Sequence, residues 1–399
     1  MIKSFSLKNF YSFQDEVKID LEVGKKVPES DIFIKTQAGK RYNKIMAIMG
    51  GNGSGKTNLL KALSFLRLFI RHSFEFKPNA LIPVKEYRFC NDPNKLIEVG
   101  IEFEYEGAEY FYSVVLSQEM IYSEELYKHG GHRYNYIFKR MWDDESESYV
   151  IKHQGFRVPL DVVIRKNVSL ISLGFQHQND VCKSIDQYFS NICSNVAPHG
   201  RVKSNVTDFV NLTEIARSYH LLPKLKEQMS CLISQLDLGI TGIKIKEQKL
   251  LDNDGKQEVR FVPYAQHSVN GVEYEMNLLE ESSGTQSLFA LLEPLLFVLQ
   301  QGGLAIIDEL EHDLHPHMIR PILDLFCAPE YNPKNAQLIF TCHSDSILNT
   351  LDKSQLILVE KEDCKSDAWR LETMKGIRRD DNLYAKYNAG AYGGVPVLD

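Results

Sequence analysis

The sequence predicts an α/β fold with a parallel sheet core, an antiparallel β lobe and an inserted helical lobe. Apolar strands alternate with helical stretches over residues 285–359, which is typical of a parallel sheet with helices on its faces. Residues 96–152 alternate in polarity between turn signals, as antiparallel strands do. Residues 184–238 instead repeat their apolar side chains at helical spacing, which predicts the inserted helices.

The other elements follow this plan along the chain. Residues 1–21 predict two strands around a turn, and residues 243–278 predict further hairpins. In the final third we expect helices and strands in alternation, at residues 285–301, 304–307, 316–327, 337–341, 344–350 and 355–359. Pro294 lies inside the first of these helices, where it removes a backbone donor. These changes divide the chain into an N-terminal lobe, a helical insertion and a C-terminal lobe, at residues 1–160, 161–242 and 243–399.

A glycine-rich loop is the first stretch with a chemical signature. Residues 44–49 form a short apolar run that predicts a buried strand, and residues 57–72 have the spacing of an amphipathic helix. Between them, residues 50–57 fit the pattern G-x-x-x-x-G-K-[ST]. Glycines let backbone N–H groups turn toward phosphate oxygens, and the helix N-terminus adds partial positive charge. Strand, loop and helix in this order therefore predict a nucleotide site.

The residue types of the loop predict its ligands, ATP and magnesium. Lys56 would reach the β- and γ-phosphates and so take part in catalysis, while Thr57 would bind the metal. The residues of this stretch that we expect to contact ATP are Gly50, Gly51, Asn52, Gly53, Ser54, Gly55, Lys56, Thr57 and Asn58.

Two apolar strands of the final third end in residues suited to phosphate chemistry. Asp308 and Glu309 follow the strand at residues 304–307. Asp308 would hold magnesium, and Glu309 would orient or deprotonate the attacking water. His343 follows the strand at residues 337–341, at the sheet edge where ligands bind in open α/β folds, so we expect it to contact the γ-phosphate.

A second anion site is predicted where the helix at residues 285–301 begins. Ser283 and Gly284 stand at its N-terminus, where free N–H groups and a hydroxyl favour an anion. The stretch precedes Asp308 by only 24 residues, which favours a functional interpretation over that of an ordinary helix cap.

Composition and charge narrow the function classes. The chain has 399 residues, 43% hydrophobic and 25% charged, with a formal net charge of −7. This acidic balance argues against a protein that coats nucleic acid through bulk charge, although a local basic surface stays open. The sequence shows neither an apolar run of roughly 20 residues nor a signal peptide, and its seven cysteines form no CxxC pair. We therefore expect a cytoplasmic protein without a membrane partner, disulfides or zinc.

The order of these motifs is similar to that of ABC-type P-loop ATPase heads of the SMC and RecF kind. A closer resemblance is to the AAA-family ATPases of bacterial abortive-infection systems, of the RloA/AbiL type, which share ancestry with the ATPase half of OLD nucleases. Three stretches carry it: MIKSFSLKNFYSF, ESSGTQ with IIDELEHDLHP, and DDNLYAKYNAGAYGGVP. Tyr11 departs from the pattern, because relatives often carry a basic residue there.

The resemblance implies further residue roles and an assembly. Ser283 and Gly284 of one protomer would complete the ATP site of another, so the protein would be a homodimer or a higher homo-oligomer. Residues 314–316 would lie in a loop that crosses the dimer interface. A glutamine would contact magnesium, with Gln176 as the candidate and Gln178 as the alternative.

Three functions remain open at this point. The first is an ATP-hydrolysing switch in an anti-phage system that controls a separate effector, such as a Toprim-type nuclease, in response to a nucleic-acid or phage-protein trigger. The second is a DNA-repair ATPase that binds DNA directly, and the third is the ATPase subunit of a transporter. Only 56 residues (399 − 343) follow His343, too few for a Toprim domain, so we expect the effector in trans.

The last stretch, residues 376–397, leaves two alternatives. It contains Tyr384, Tyr387 and Tyr392 together with several glycines. Such a tail could dock the effector, because tyrosines provide contact area at low conformational cost. Alternatively, the tyrosines pack back on their own domain, as aromatic residues at a core edge do.

Overall fold

The computed structural model describes residues 1–89, 95–131, 133–156, 164–202, 209–236, 239–251 and 257–395. The elements up to residue 153 are β1 (Ile2–Lys8), β2 (Val17–Asp20), β3 (Phe33–Lys35), β4 (Arg41–Asn43), β5 (Ile45–Met49), α1 (Lys56–His72), β6 (Ile97–Tyr105), β7 (Ala108–Leu116), β8 (Ile121–His129), β9 (Tyr134–Asp143) and β10 (Ser148–His153). Those of the middle are α2 (Leu170–Gln176), α3 (Asp180–Ser190), β11 (Ile192–Ser194), β12 (Val196–Ala197), β13 (Gly200–Arg201), α4 (Phe209–Leu221), α5 (Pro223–Leu236), β14 (Gly242–Leu251), β15 (Gln257–Val269) and β16 (Val272–Asn277). The last are α6 (Ser283–Gln301), β17 (Leu304–Ile307), α7 (Pro316–Cys327), β18 (Gln337–Thr341), β19 (Leu356–Glu362), β20 (Lys365–Arg370) and α8 (Leu383–Asn388).

A parallel sheet with one antiparallel edge strand forms the centre of the fold. Its strand order is β11-β17-β18-β5-β19-β20, and only the β19–β20 pair is antiparallel. Every residue of β5, β17 and β18 is buried, as expected for strands covered on both faces. Because these three strands are parallel neighbours, their carboxyl ends meet at one edge of the sheet. The glycine-rich loop, the acidic pair and the predicted histidine follow these three ends.

The second sheet is antiparallel throughout and forms the predicted β lobe. Its order is β10-β9-β8-β7-β6-β1-β2, so the N-terminal strand pair joins the edge of the meander. Burial alternates along β7, which leaves one face of the sheet more exposed than the other. The prediction of an α/β fold with a parallel core, an antiparallel lobe and inserted helices is confirmed.

Alternate residues of the central strands enter two different hydrophobic cores. Met46 and Ile306 face a core that includes the antiparallel sheet and α1 to α3. Ala47 and Ala305 face a core formed with α4 to α7. This follows from the two-residue period of a strand, whose successive side chains point to opposite faces.

The helices between residues 161 and 242 form two groups. α2 and α3 pack against α1 and one another, whereas α4 and α5 pack against α6 and the small sheet of β14, β15 and β16. The proposed boundaries 1–160, 161–242 and 243–399 stay a prediction. Among the described residues, we find no helix with the length and apolar content needed to cross a bilayer.

Three local expectations differ from the structure. The helix expected from Ser184 begins earlier as α3, because the side chain of Asn179 accepts hydrogen bonds from Val181 N and Cys182 N and caps it. Residues 344–350 were expected to form a helix, but they contain a short 3-10 turn instead, at Asp345–Asn349. Strand β20 was not predicted. Pro294, by contrast, leaves α6 continuous.

The C-terminal tyrosines pack mainly on their own domain. Tyr387 is 6% exposed and Tyr392 is 3% exposed, and both belong to the core around α6 and α7. The hydroxyl of Tyr387 donates to the backbone oxygen of Gly394 at 3.0 Å. Tyr384 is the exception, at 38% exposure. Of the two alternatives for this tail, the packing of Tyr387 and Tyr392 favours the one in which the tyrosines pack on their own domain.

Candidate active site

The glycine-rich loop lies tightly against β19 and β20. A Cβ on Gly50 would approach the backbone oxygen of Val359 to 2.1 Å, and one on Gly55 would approach Ser366 Oγ to 2.5 Å. Gly55 also has φ +118°, which an L side chain rarely adopts. The two glycines therefore let the backbone curve closely beneath the space at the carboxyl edge of the sheet.

The start of α1 offers free donors to that space. Its N-cap is Gly55, and no side chain caps the helix, so the N–H groups of its first turn stay available to a ligand. Lys56 Nζ donates to the backbone oxygens of Gly50 and Gly51, at 2.8 and 3.0 Å. Burial lowers the pKa of Lys56, while Asp308 and other nearby acids oppose that shift.

One buried hydroxyl of the loop has no partner. Ser54 Oγ is inaccessible to solvent and makes no hydrogen bond within the parts of the chain that the structure describes. A buried polar atom without a partner is costly unless a ligand or water satisfies it. Together with the glycine cradle and the uncapped helix, it shows that these residues fit the phosphates of a nucleotide.

Asp308 is held between hydroxyls from two neighbouring segments. Thr57 Oγ1 donates to Asp308 Oδ2 at 2.9 Å, and Thr341 Oγ1 donates to Oδ1 at 2.7 Å. Asp308 is only 3% exposed. The side-chain amide of Asn195 bonds both backbone groups of Asp308. It accepts from Asp308 N at 2.7 Å and donates to Asp308 O at 3.0 Å. A hydroxyl beside a carboxylate is a ligand set suited to magnesium, so Thr57 and Asp308 fit that ion.

Glu309 lies in a strained backbone conformation beside Asp308. Its φ is +54°, in the left-handed region, which is uncommon for a residue with a side chain and is found often at active sites. Its N–H donates to Thr341 Oγ1 at 2.7 Å. Its carboxylate forms an ion pair with Arg201, and His343 Nε2 lies 3.8 Å from Oε1.

His343 stands where the sequence predicts, just beyond the end of β18. Its side chain is 40% exposed and faces Glu309, and its backbone N–H donates to Glu311 Oε1 at 2.6 Å. The structure thus brings Lys56, Thr57, Asp308, Glu309 and His343 to one edge of the parallel sheet. Their chemical roles stay predictions.

The start of α6 lies apart from the loop of the same chain. Ser282 is the N-cap, and Ser283 and Gly284 are the first two helical residues. A Cβ on Gly284 would lie 3.1 Å from the backbone oxygen of Asp313. Among the described residues, no hydrogen bond or ion pair joins Ser283 or Gly284 to residues 50–58.

The loop after the acidic pair is shaped by its own helix cap. His315 caps α7 by accepting a hydrogen bond from His317 N at 3.3 Å, and Pro316 is the first residue of that helix. Leu314 is 7% exposed and packs in the core, whereas His315 and Pro316 are exposed at the surface.

The structure does not bring Gln176 to the metal site. Gln176 is the exposed last residue of α2, and Ser172 of that helix donates to the backbone oxygen of Arg71 at 3.2 Å. Arg71 lies near the far end of the 17-residue α1, 14 residues beyond Thr57, which puts the contact about 21 Å from Thr57 at 1.5 Å per residue. The assignment of Gln176 to magnesium is corrected on this ground, and its alternative Gln178 lies in the same region.

A comparison of the sequence with protein-family models agrees with a nucleotide site at this edge of the parallel sheet. Residues 45–349, more than half of the chain, match the family model described as "AAA domain, putative AbiEii toxin, Type IV TA system". The chain belongs to this AAA family. The predicted resemblance to AAA ATPases related to abortive-infection systems is thereby confirmed. No curated protein sequence matches the chain.

Solved structures with the same fold as this AAA ATPase include SMC heads. One is the SMC head bound to the C-winged helix domain of ScpA, with a TM-score of 0.50 and 16% identity over 93% of this chain and 98% of that one. The SMC head domain from Thermotoga maritima has a TM-score of 0.45 and 16% identity, covering 92% and 98%. A third is the SMC head domain with an extended coiled coil, bound to the C-terminal domain of ScpA and derived from Pyrococcus furiosus. Its TM-score is 0.42 and its identity 14%, over 93% of this chain and 96% of that one.

Three residues of the AAA ATPase site were missed by the sequence analysis. Asn195 and Arg201 lie in and beside the short β12–β13 hairpin, outside any recognisable motif. Thr341 could have been found, because it is the last residue of an apolar strand and stands two residues before His343. Polar residues at the carboxyl end of a parallel strand are candidates for a site.

Proposed function

We propose that this AAA ATPase hydrolyses ATP with magnesium and acts as a molecular switch that controls a separate effector protein. The observation that carries the proposal is the hydrogen-bonded chain from Thr57 through Asp308 and Thr341 to Glu309. It joins a phosphate-binding loop to a partly exposed carboxylate, which is the arrangement that hydrolysis of a phosphoanhydride requires.

The loop and the first turn of α1 bind the triphosphate in this proposal. Backbone N–H groups of residues 50–58 and the ammonium of Lys56 neutralise the phosphate charge. Lys56 already lies within the loop, bonded to two of its backbone oxygens, and can exchange those bonds for phosphate oxygens without a large movement. The partner-free hydroxyl of Ser54 gains an acceptor at the same time.

Thr57 and Asp308 would hold magnesium, which when bound would neutralise phosphate charge and orient the phosphoryl group. Glu309 accepts the proton of the attacking water, and His343 donates a hydrogen bond toward the reacting phosphate. A carboxylate is suited to this task because it can both orient water and take its proton.

Two copies close around ATP in the proposed switch. Ser282 caps the helix start by accepting a hydrogen bond from Thr285 N, but Ser283 and Gly284 make no hydrogen bond to the loop of their own chain within the described residues, so a second copy would complete each site. ATP would then favour the closed dimer, and hydrolysis would release it, because a ligand shifts an equilibrium by its different affinity for the two states.

The effector acts in trans in this proposal, as part of an anti-phage abortive-infection response. The family description links the AAA domain with a toxin system, and the similar SMC head was solved with a partner domain bound. A Toprim-type nuclease is the effector class that the resemblance to OLD nucleases suggests. Pull-down of this chain with the product of a neighbouring gene would test the pairing, and capture of no such product would count against it.

Glu309→Gln and Lys56→Ala together test the ATPase. The amide of the Gln variant can accept a hydrogen bond but cannot take a proton, so we expect ATP binding to persist while kcat falls by about 100-fold or more. Lys56→Ala should instead weaken ATP binding, because it removes the cation of the loop. Binding is measured by fluorescent-nucleotide titration and turnover by phosphate release, with and without EDTA. Wild-type turnover by the Gln variant would remove Glu309 from the catalytic role.

A further inference from the structure

The β12–β13 hairpin carries an arginine to the proposed catalytic base. Arg201 Nη1 forms an ion pair with Glu309 Oε2, and the two side chains are 19% and 37% exposed. Within the described residues, Arg201 has no second ion-pair partner, and its Nε is buried without a hydrogen bond. Among the described residues, Glu309 is therefore the countercharge of this guanidinium.

The hairpin is fixed to the ATPase core at both ends. At its base, Asn195 bonds the backbone of Asp308, and Ser194 Oγ lies 2.8 Å from Ser64 Oγ of α1. At its tip, the hydroxyl of Tyr11 donates to the backbone oxygen of Pro198 at 2.9 Å. These contacts hold the backbone that carries Arg201, so the ion pair is not a chance contact of two free surface side chains.

The pair draws the carboxylate of Glu309 toward α6. Arg201 and Glu309 line one cavity of about 440 Å³, together with Ser287 and Leu291 of α6. Residues 50–57, all of which the structure describes, are not among its lining residues. A general base must come within about 2.6–3.2 Å of the water that it deprotonates. Oε2, the oxygen bound to Arg201, is therefore occupied while the ion pair is intact.

We propose that Arg201 is a positioning residue that restrains Glu309 in the resting state. This inference rests on the proposed ATPase function. Release of the ion pair, driven by closure around ATP, frees Oε2 and lets the carboxylate turn toward the loop. The left-handed backbone of Glu309, supported by Thr341, is a strained conformation of the kind that accompanies two-state elements. The resting protein then hydrolyses ATP slowly, as a switch requires.

Substitution of Arg201 should therefore activate the enzyme. We expect Arg201→Gln to raise kcat about fivefold, because it removes a partly exposed ion pair that holds Glu309 away from its active position. KM should stay unchanged within about twofold. Tyr11→Phe loosens the tip of the hairpin without touching the site and should give a smaller rise. Arg201→Lys keeps the charge and should stay closer to wild type. Arg217→Gln is the matched control, because Arg217 is an exposed arginine that pairs with Glu214 of its own helix.

The outcomes separate this inference from the proposed function. Arg201→Gln combined with Glu309→Gln should be inactive, which shows that the gained rate passes through Glu309. A lower kcat for folded Arg201→Gln, with its melting temperature and ATP binding intact, would make Arg201 a catalytic contact and overturn the restraint. An unchanged kcat would overturn it as well, while loss of turnover in Glu309→Gln alone would still support the ATPase. If neither wild type nor Arg201→Gln hydrolyses bound ATP, both proposals fail.

Discussion

At the scale of single residues, one hydroxyl joins the two acids of the site. Thr341 Oγ1 donates to Asp308 and accepts from the backbone N–H of Glu309, both at 2.7 Å, and the residue is fully buried. It thus fixes the orientation of a proposed metal ligand and the strained backbone of the proposed base. Groups that orient a metal ligand often matter nearly as much as the ligand itself.

Thr341→Val removes this hydroxyl while keeping the shape of the side chain. We expect kcat to fall by about 10- to 100-fold, because neither acid keeps its orientation. The free energy of unfolding should fall by only about 1–3 kcal/mol, the cost of leaving a buried N–H without an acceptor. Phosphate release and chemical denaturation measure the two effects. Thr341→Ser retains the hydroxyl and is the control, and a Val variant that turns over like wild type would contradict this role.

The residues of the site differ in how well the sequence predicts them. Lys56 and Thr57 lie in one contiguous motif, and Asp308 and Glu309 in another, so local spacing was sufficient. Arg201 reaches Glu309 across 108 positions of chain through a two-residue strand, for which no local pattern exists. A search of local motifs therefore does not find residues such as Arg201, which only the tertiary fold brings to the site.

At the scale of elements, a buried ion pair fastens α2 to the antiparallel sheet. Glu124 of β8 and Arg140 of β9 are both fully buried, with Oε2 and Nη2 at 2.9 Å. Glu124 also accepts from the hydroxyl of Tyr112 at 2.8 Å, from that of Ser169 at 2.6 Å and from Leu170 N at 3.0 Å. The carboxylate therefore lies at the N-terminus of α2, where a negative charge is favourable.

Glu124→Gln should destabilise the fold strongly. The amide leaves the guanidinium of Arg140 buried without a countercharge, which we expect to lower the free energy of unfolding by about 3–5 kcal/mol. Glu125→Gln is the matched control, since the neighbouring Glu125 is partly exposed and lies 3.7 Å from Lys139, so its loss should cost about 1 kcal/mol or less. Equal melting temperatures for the two variants would contradict the role given to the buried pair.

Among the elements that the sequence predicted well are those whose pattern is long. Strands β6 to β10 together span residues 97–153, close to the predicted stretch 96–152, and helices α1, α6 and α7 lie within two residues of their predicted bounds. Strand β20 was missed because it pairs at an exposed sheet edge through the tight turn at Asp363 and Cys364, both with positive φ. The short turn at Asp345–Asn349 was given as a helix because its apolar residues fit both patterns.

At the scale of the whole molecule, the parallel sheet connects two cores and presents one functional edge. Its two faces are buried by different partners, the antiparallel lobe on one side and α4 to α7 on the other. The loop after β5 and the acids after β17 meet at that edge, whereas within the described chain no hydrogen bond or ion pair joins the start of α6 to residues 50–58. The arrangement leaves the proposed second anion site free to serve another copy, which mixed variants can test.

Gly284→Asp and Lys56→Ala should complement each other if two copies share each site. Asp at position 284 would place a carboxylate against the γ-phosphate bound by the partner, and like charges in a partly dry site repel strongly, so turnover should stop while ATP binding persists. A mixed dimer retains one site with an intact loop from the first variant and an intact helix start from the second. We expect the mixture to regain up to about half of the activity per mixed dimer, since one of its two sites is competent.

Gly284→Ala controls for the space around that position. A Cβ there would lie 3.1 Å from the backbone oxygen of Asp313, close enough to require a small shift, but it carries no charge. If Gly284→Ala keeps most of the turnover while Gly284→Asp loses it, the charge and not the volume is responsible. Mixing is verified by tagging each variant differently and purifying through both tags in ATP. Doubly tagged dimers that remain inactive would show that the sites are not shared. Each mixed dimer contains one intact loop and one intact helix start on different copies, and these restore activity only if they form one site.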